Sequence, residues 1–147
     1  MISVPRVVWM PGGLRLEIHL GGDDTAGAFC LMLDDPPANW SLPEHRHRAE
    51  AETIHVLDGE FEVTMEARTS RLRPGETLHV PAGAVHATRN VGARRGRRMV
   101  IYSPAGIENF FLEAGAVTSD ADVNLGALVD AATRYGWEFL ASRQAPS

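Results

Sequence analysis

At 147 residues, with 44% hydrophobic and 22% charged side chains, the chain has the size and composition of one folded domain with its own core. Its formal net charge of -5 opposes the polyphosphate surface of nucleic acid, and no Lys/Arg stripe with interleaved aromatics offsets that charge. No stretch approaches membrane-spanning length, and the segment Met1 to Leu20 is broken by Pro5, Pro11, Gly12 and Gly13, so neither nucleic acid nor membrane is expected as a partner and a cytoplasmic location is.

Strand signals recur from the N-terminus. Leu14, Leu16, Ile18 and Leu20 alternate with Arg15, Glu17 and His19, the pattern of a strand with one buried face, between the turn-forming runs Pro11-Gly12-Gly13 and Gly21-Gly22-Asp23-Asp24. Cys30 stands alone in the apolar run Phe29 to Leu33; it has no disulfide partner and reads as a buried core thiol. His45 and His47 lie two apart, so on an extended strand both imidazoles leave the same face. Alone, such a pair is weak, because it occurs by chance on many exposed strands. Glu52 follows a short polar stretch, Arg48 to Ala51, that can turn the chain into a neighbouring strand and set the carboxylate opposite the imidazoles. Asp58-Gly59 then supplies a tight turn.

Phe61, Val63 and Met65 alternate with Glu62, Thr64 and Glu66, and Leu78 and Val80 with Thr77 and His79. A third imidazole, His86, follows Pro81-Ala82-Gly83, and Met99 to Tyr102 is a further apolar strand. Short strands separated by turns predict a β-sandwich or barrel. From Pro104 the character changes: Ile107, Phe110 and Phe111, then Leu125, Leu128, Val129 and Ala132, fall at helical spacing, the second helix ending at Gly136 after Tyr135. One domain is expected over residues 1-147, with a barrel over about 4-103 and a helical C-terminal extension over about 104-141.

The two histidine segments carry a resemblance. The pattern G-x5-H-x-H-x4-E-x6-G is the first cupin motif, and this sequence matches it at His45, His47, Glu52 and Gly59, with Asn39 in place of the opening Gly. The pattern G-x5-P-x-G-x2-H-x3-N is the second, matched throughout by Gly75, Pro81, Gly83, His86 and Asn90. The chain resembles single-domain, quercetin-dioxygenase-like cupins, its tail included. That resemblance implies an all-β fold, a cupin jelly-roll barrel with short C-terminal α-helices, and a metal held by His45, His47, Glu52 and His86. Neutral imidazoles plus a carboxylate suit one divalent transition metal, Fe, Mn, Ni, Co or Zn, and the lack of thiolates argues against a closed structural zinc site. Four protein ligands on a six-coordinate ion leave two open positions.

Other residues compete for roles. A barrel that keeps the four as core polar contacts without metal is the alternative to the metal site. Glu50, the rival to Glu52, reads as solvent-facing. His55 has the wrong parity for the metal face, His79 reads as structural, His19 as surface, and Asn90 as a turn-fixing amide. The run Arg94 to Arg98 reads as a solvated hairpin loop, with a rim contact for an acidic substrate as the lesser alternative. Phe29, Met32, Trp40, Phe110 and Phe111 read mainly as core, and those facing inward would make the cavity apolar.

Three functions follow. The first is a metal-dependent dioxygenase, similar to quercetinase-like cupins, acting on a small hydrophobic, aromatic or enolic substrate, with Glu52 as ligand and catalytic proton acceptor. The second is a non-redox cyclase or isomerase of polyketide-cyclase type, using the metal as a Lewis acid. The third is a non-catalytic small-molecule-binding module. The resemblance also implies a homodimer, and an open jelly-roll edge invites a partner strand.

Overall fold

The computed structural model describes residues 1–119 and 124–140. The alternation of Leu14, Leu16 and Ile18 with polar neighbours becomes a strand, β2 (Leu14–Leu20), with those three side chains buried. It follows β1 (Arg6–Met10) through the Pro11–Gly13 turn, in which Gly12 and Gly13 both take positive φ. A single-turn helix, α1 (Gly22–Thr25), leads into β3 (Cys30–Asp35), where Cys30, Met32 and Asp34 point inward. Cys30 is fully buried, and burial pushes its thiol up to about 12.

The histidine segments lie on β4 (Ser41–His47) and β9 (His86–Asn90), and Glu52 on β5 (Ala51–Asp58). Between them come β6 (Phe61–Met65), β7 (Arg68–Leu72) and β8 (Thr77–Val80); β10 (Arg97–Ser103) closes the barrel. The C-terminal region forms α2 (Glu108–Ala114), α3 (Leu125–Arg134) and one more strand, β11 (Trp137–Phe139). Both expected C-terminal helices form, and the strand follows them within the expected extension. Residues 120–123, and the expected end of the extension at 141, lie outside the described residues.

The strands form two antiparallel sheets, one in the order β1-β2-β3-β10-β5-β8 and one in the order β11-β4-β9-β6-β7. Their facing surfaces make the core, as in a jelly roll. One apolar cluster, Ile54, Val56, Phe61, Val63, Leu72 and Val80, fills one part of the interior. A larger one gathers Leu16, Ile18, Met32, Val100 and Ile107 with Phe110 and Phe111 of α2 and Trp137 of β11. Burying the two phenyl rings contributes about 1.5–3 kcal/mol each, which docks a helix of seven residues too short to stand alone. Among the described residues no helix is long and apolar enough to cross a membrane.

Candidate metal centre

Strand register assembles the site. Antiparallel pairing sets His45 of β4 directly opposite His86 of β9, and the period of two returns His47 to the same inward face. These three imidazoles come from the five-stranded sheet. Glu52 comes from the other sheet, where it pairs with Val80 on one side and Tyr102 on the other, so its carboxylate faces the imidazoles across the barrel. All four residues are buried, and their ligand atoms lie within 4.8 Å of one another.

The surrounding turns explain why the sequence folds this way. Asn39, standing where the motif's opening Gly would be, takes φ +66, and Asn is the ordinary residue best suited to that left-handed conformation. The departure therefore preserves the turn before β4. Gly59 combines φ +89 with a close approach to Gly96, whose Cα lies 3.0 Å from where a Cβ would stand. Asn90 fixes the far end of β9: its Nδ2 donates to the carbonyls of Pro36, Pro37 and Arg94, and its Oδ1 accepts from the Gly92 amide.

Hydrogen bonds set the imidazole tautomers. The Nδ1–H of His45 donates to the Pro43 carbonyl at 2.8 Å, which leaves its Nε2 free to offer a lone pair, and the Nδ1–H of His86 donates to the Ala84 carbonyl at 3.0 Å, which turns its Nε2 toward Glu52. Glu52 Oε1 lies 3.1 Å from His86 Nε2 and 3.5 Å from His47 Nε2. Both ring nitrogens of His47 are buried without a hydrogen-bond partner. Burial, reinforced by the neighbouring His86, lowers the pKa of His45 to about 4 and keeps it neutral. Burial opposes charge on Glu52 as well, but contacts with His47 and His86 outweigh it and hold the carboxylate ionised far below its ordinary range. On His86, burial is likewise outweighed by Glu52, and the pKa rises. Three imidazoles, one of them without a hydrogen-bond partner, and an ionised carboxylate in a low-dielectric interior form a donor set that one divalent cation would satisfy.

The other expected residues fall as follows. His55 and His79 leave the metal face; they bond Thr77 and Thr53 across β5 and β8 on the outer surface. His19 lies on an outer face too, bonded to Glu17. Glu50 departs from expectation: it is 8% exposed, because the Arg48–Glu50 loop turns it inward near His47, and burial raises its pKa. The arginine run also departs from a solvated loop. Arg94 stays exposed, whereas Arg98 is buried on β10, with Nε 3.0 Å and Nη2 2.6 Å from the Asp34 carboxylate and the Trp40 and Phe61 rings each 5.0 Å from the guanidinium.

Two neighbours of the centre escaped the sequence reading. Tyr102 packs edge-on to His47 at 5.3 Å; burial, then the Glu52 charge, keeps its phenol protonated well above the ordinary range. Its inward parity on β10 was the available signal. Trp137 lies 4.3 Å from His47 and 5.2 Å from His45, placed by the pairing of β11 with β4. Nothing in local spacing points to that pairing.

Comparison with known proteins agrees with this geometry. Residues 31–102 match the cupin domain family model. Over 120 residues the chain is 28% identical to quercetin 2,3-dioxygenase of Bacillus subtilis, covering 77% of this chain but 35% of that enzyme, so it spans only about a third of that relative's length. Among solved structures, KdgF from Halomonas sp. superposes with TM-score 0.66 at 16% identity, over 74% of this chain and 97% of that one. The polyketide cyclase RemF from Streptomyces resistomycificus superposes with TM-score 0.57 at 25% identity, over 69% of this chain and 73% of that one. The two sheets, the motif spacing and these likenesses converge: residues 31–102 are a cupin domain, in a chain with the cupin fold.

Proposed function

We propose that the protein is a metal-dependent enzyme acting on a small aromatic or enolic molecule, most simply as a quercetinase-like dioxygenase. The observation that carries the reading is the convergence of four buried ligand atoms within 4.8 Å, three imidazole and one carboxylate. A bound Fe, Mn, Ni, Co or Zn ion would supply Lewis acidity and, if redox-active, access to dioxygen chemistry.

The chain's own residues do the rest. The Pro43 and Ala84 carbonyls hold the rings of His45 and His86 in ligating orientation. Glu52, facing the imidazoles from the opposite sheet, is the carboxylate placed to accept the proton a substrate enol gives up on binding. Tyr102, kept protonated beside His47, offers a hydrogen bond to a developing oxyanion. Trp137, Phe110 and Phe111 exclude water from the helical side. The likeness to quercetin 2,3-dioxygenase supports oxygenation; the likeness to RemF supports a second reading, a cyclase that consumes no oxygen. Metal analysis of the purified chain, followed by oxygen-electrode assays with a flavonol, separates them. Oxygen uptake matched to product is expected, and equal product under argon would overturn the dioxygenase in favour of the cyclase.

For assembly we propose a homodimer, formed through strand edges that both sheets leave open among the described residues. Light scattering that returns the mass of a single chain would overturn it.

A further inference from the structure

Among the described residues four buried side-chain atoms make no hydrogen bond: both ring nitrogens of His47, Glu50 Oε2 and Trp137 Nε1. Buried polar atoms normally find partners, because an unpaired one has given up its hydration without replacement. These four fall together. Trp137 packs edge-on to His47 at 4.3 Å, and Glu50 follows His47 by three residues, in the loop that turns its carboxyl inward. Of the charged groups around Glu50, His47 acts on it most strongly.

The three imidazoles of the candidate centre are not held alike. The Pro43 carbonyl fixes His45 through Nδ1, and the Ala84 carbonyl fixes His86 in the same way. His47 turns Nε2 toward Glu52, 3.5 Å from Oε1, so its Nδ1 points away from the cluster, and nothing accepts from it. An imidazole that gives its Nε2 lone pair to a cation carries its proton on Nδ1, and a buried N–H of that kind needs an acceptor. The Trp137 indole is a donor and cannot serve. The backbone on either side of the ring is already engaged: the His47 carbonyl accepts from the Gly83 amide at 2.8 Å, and the Arg48 amide donates to the Gly136 carbonyl at 3.1 Å. Glu50 Oε2 is the one acceptor among the unpaired atoms, on a residue only 8% exposed.

We infer that Glu50 is the positioning residue for His47: with a cation on Nε2, the Glu50 carboxylate accepts the Nδ1–H, directly or through one buried water, and sets the plane of the third ring as the two carbonyls set the others. The inference rests on the metal reading of the centre and goes beyond it, since Glu50 ligates nothing itself. It also gives a reason for a carboxyl oxygen that is turned into the interior and left bare there.

The test compares two near-isosteric variants of the full chain, Glu50→Gln, which keeps an acceptor oxygen, and Glu50→Leu, which fills the same space without one. Zinc affinity is measured by competition with a chelator, and the ring protons by proton–nitrogen correlation spectra of the zinc-loaded chain labelled at histidine. In Glu50→Leu the affinity should fall about 10–100-fold, the ordinary effect of losing the outer partner of a ligating histidine, while zinc bound at saturation stays at the wild-type level. The Nδ1 proton of His47, protected in the wild type, should be lost to exchange with water in Glu50→Leu, while those of His45 and His86 remain. Glu50→Gln should keep that proton and lie between the wild type and Glu50→Leu in affinity, because its acceptor is neutral. If Glu50 only packs, Glu50→Leu retains the wild-type affinity, and that result would overturn the inference. So would a His47 Nδ1 proton that stays protected in Glu50→Leu. Either result leaves the metal reading standing, whereas a wild-type chain that binds no zinc would overturn both together.

Discussion

Neither ring nitrogen of His47 makes a hydrogen bond, although the residue is almost wholly removed from water. Orphaned buried polar atoms are rare because each forfeits its hydration, and a cation is the simplest group that satisfies three imidazoles and a carboxylate at once. His47→Ala and His86→Ala should therefore lose most of the metal bound by the wild type, measured by plasma emission on dialysed protein. His79→Ala should not, since that ring faces Thr53 on the outer surface. Full metal content in either of the first two variants would reject the ligand set. A different residue-scale balance governs Arg98. Burial works against its charge, but the Asp34 carboxylate outweighs burial and keeps the guanidinium charged between the two aromatic rings. Asp34→Asn leaves that charge uncompensated and should cost about 3–5 kcal/mol in urea unfolding. Adding Arg98→Met should recover much of the loss; a double variant weaker than the single would refute the pairing argument.

At the scale of elements, strands β2, β3 and β10 are tied on their outer face as well as through the core. Glu17 accepts from Arg15 and His19, Asp35 accepts from Arg97 at 2.6 Å, and the Glu17–Arg97 pair closes the set. Burial opposes ionisation of Glu17, yet those contacts outweigh it and lower its pKa below the ordinary 4.5. A depressed carboxylate contributes stability that is complete above its unfolded value and is lost as pH falls through the folded one. Glu17→Gln should consequently shrink the drop in urea midpoint between about pH 7 and about pH 3, and an unchanged drop would show the network contributes nothing. The inner and outer faces of β2 were legible from alternation, as were β6 and both longer helices, because each runs long enough for its period to declare itself. The three residues of β11 are too few to show a period, and their place beside β4 is set by tertiary pairing. Hence the four side chains that cluster could be picked out through the motif resemblance, whereas Trp137, and the inward turn of Glu50, could not. The arginine run misled for a related reason: charge density suggests solvent, but strand parity at Arg98 and its inward partner Asp34 decide burial.

Across the whole molecule, the centre sits where the two layers meet, three imidazoles on one sheet and the carboxylate on the other. A cation held there fastens the sheets to each other, and the unfolded chain, with His45 and His86 separated by many residues, offers no comparable site. Binding to the native state alone stabilises it by mass action, about 4 kcal/mol when free metal stands near a thousandfold above Kd. For a chain of this length that corresponds to a rise in Tm of about 8–16 °C over the same protein in chelator. Differential scanning with Mn, Fe, Ni, Co and Zn in turn should show such a rise for at least one metal. The His86→Ala variant should show none with any of them, because it removes a ligand from the sheet that holds three. A wild-type chain whose Tm ignores all five metals would mean that Glu52 and the imidazoles answer one another as ordinary core polar contacts, and the proposed chemistry would have no centre to act from.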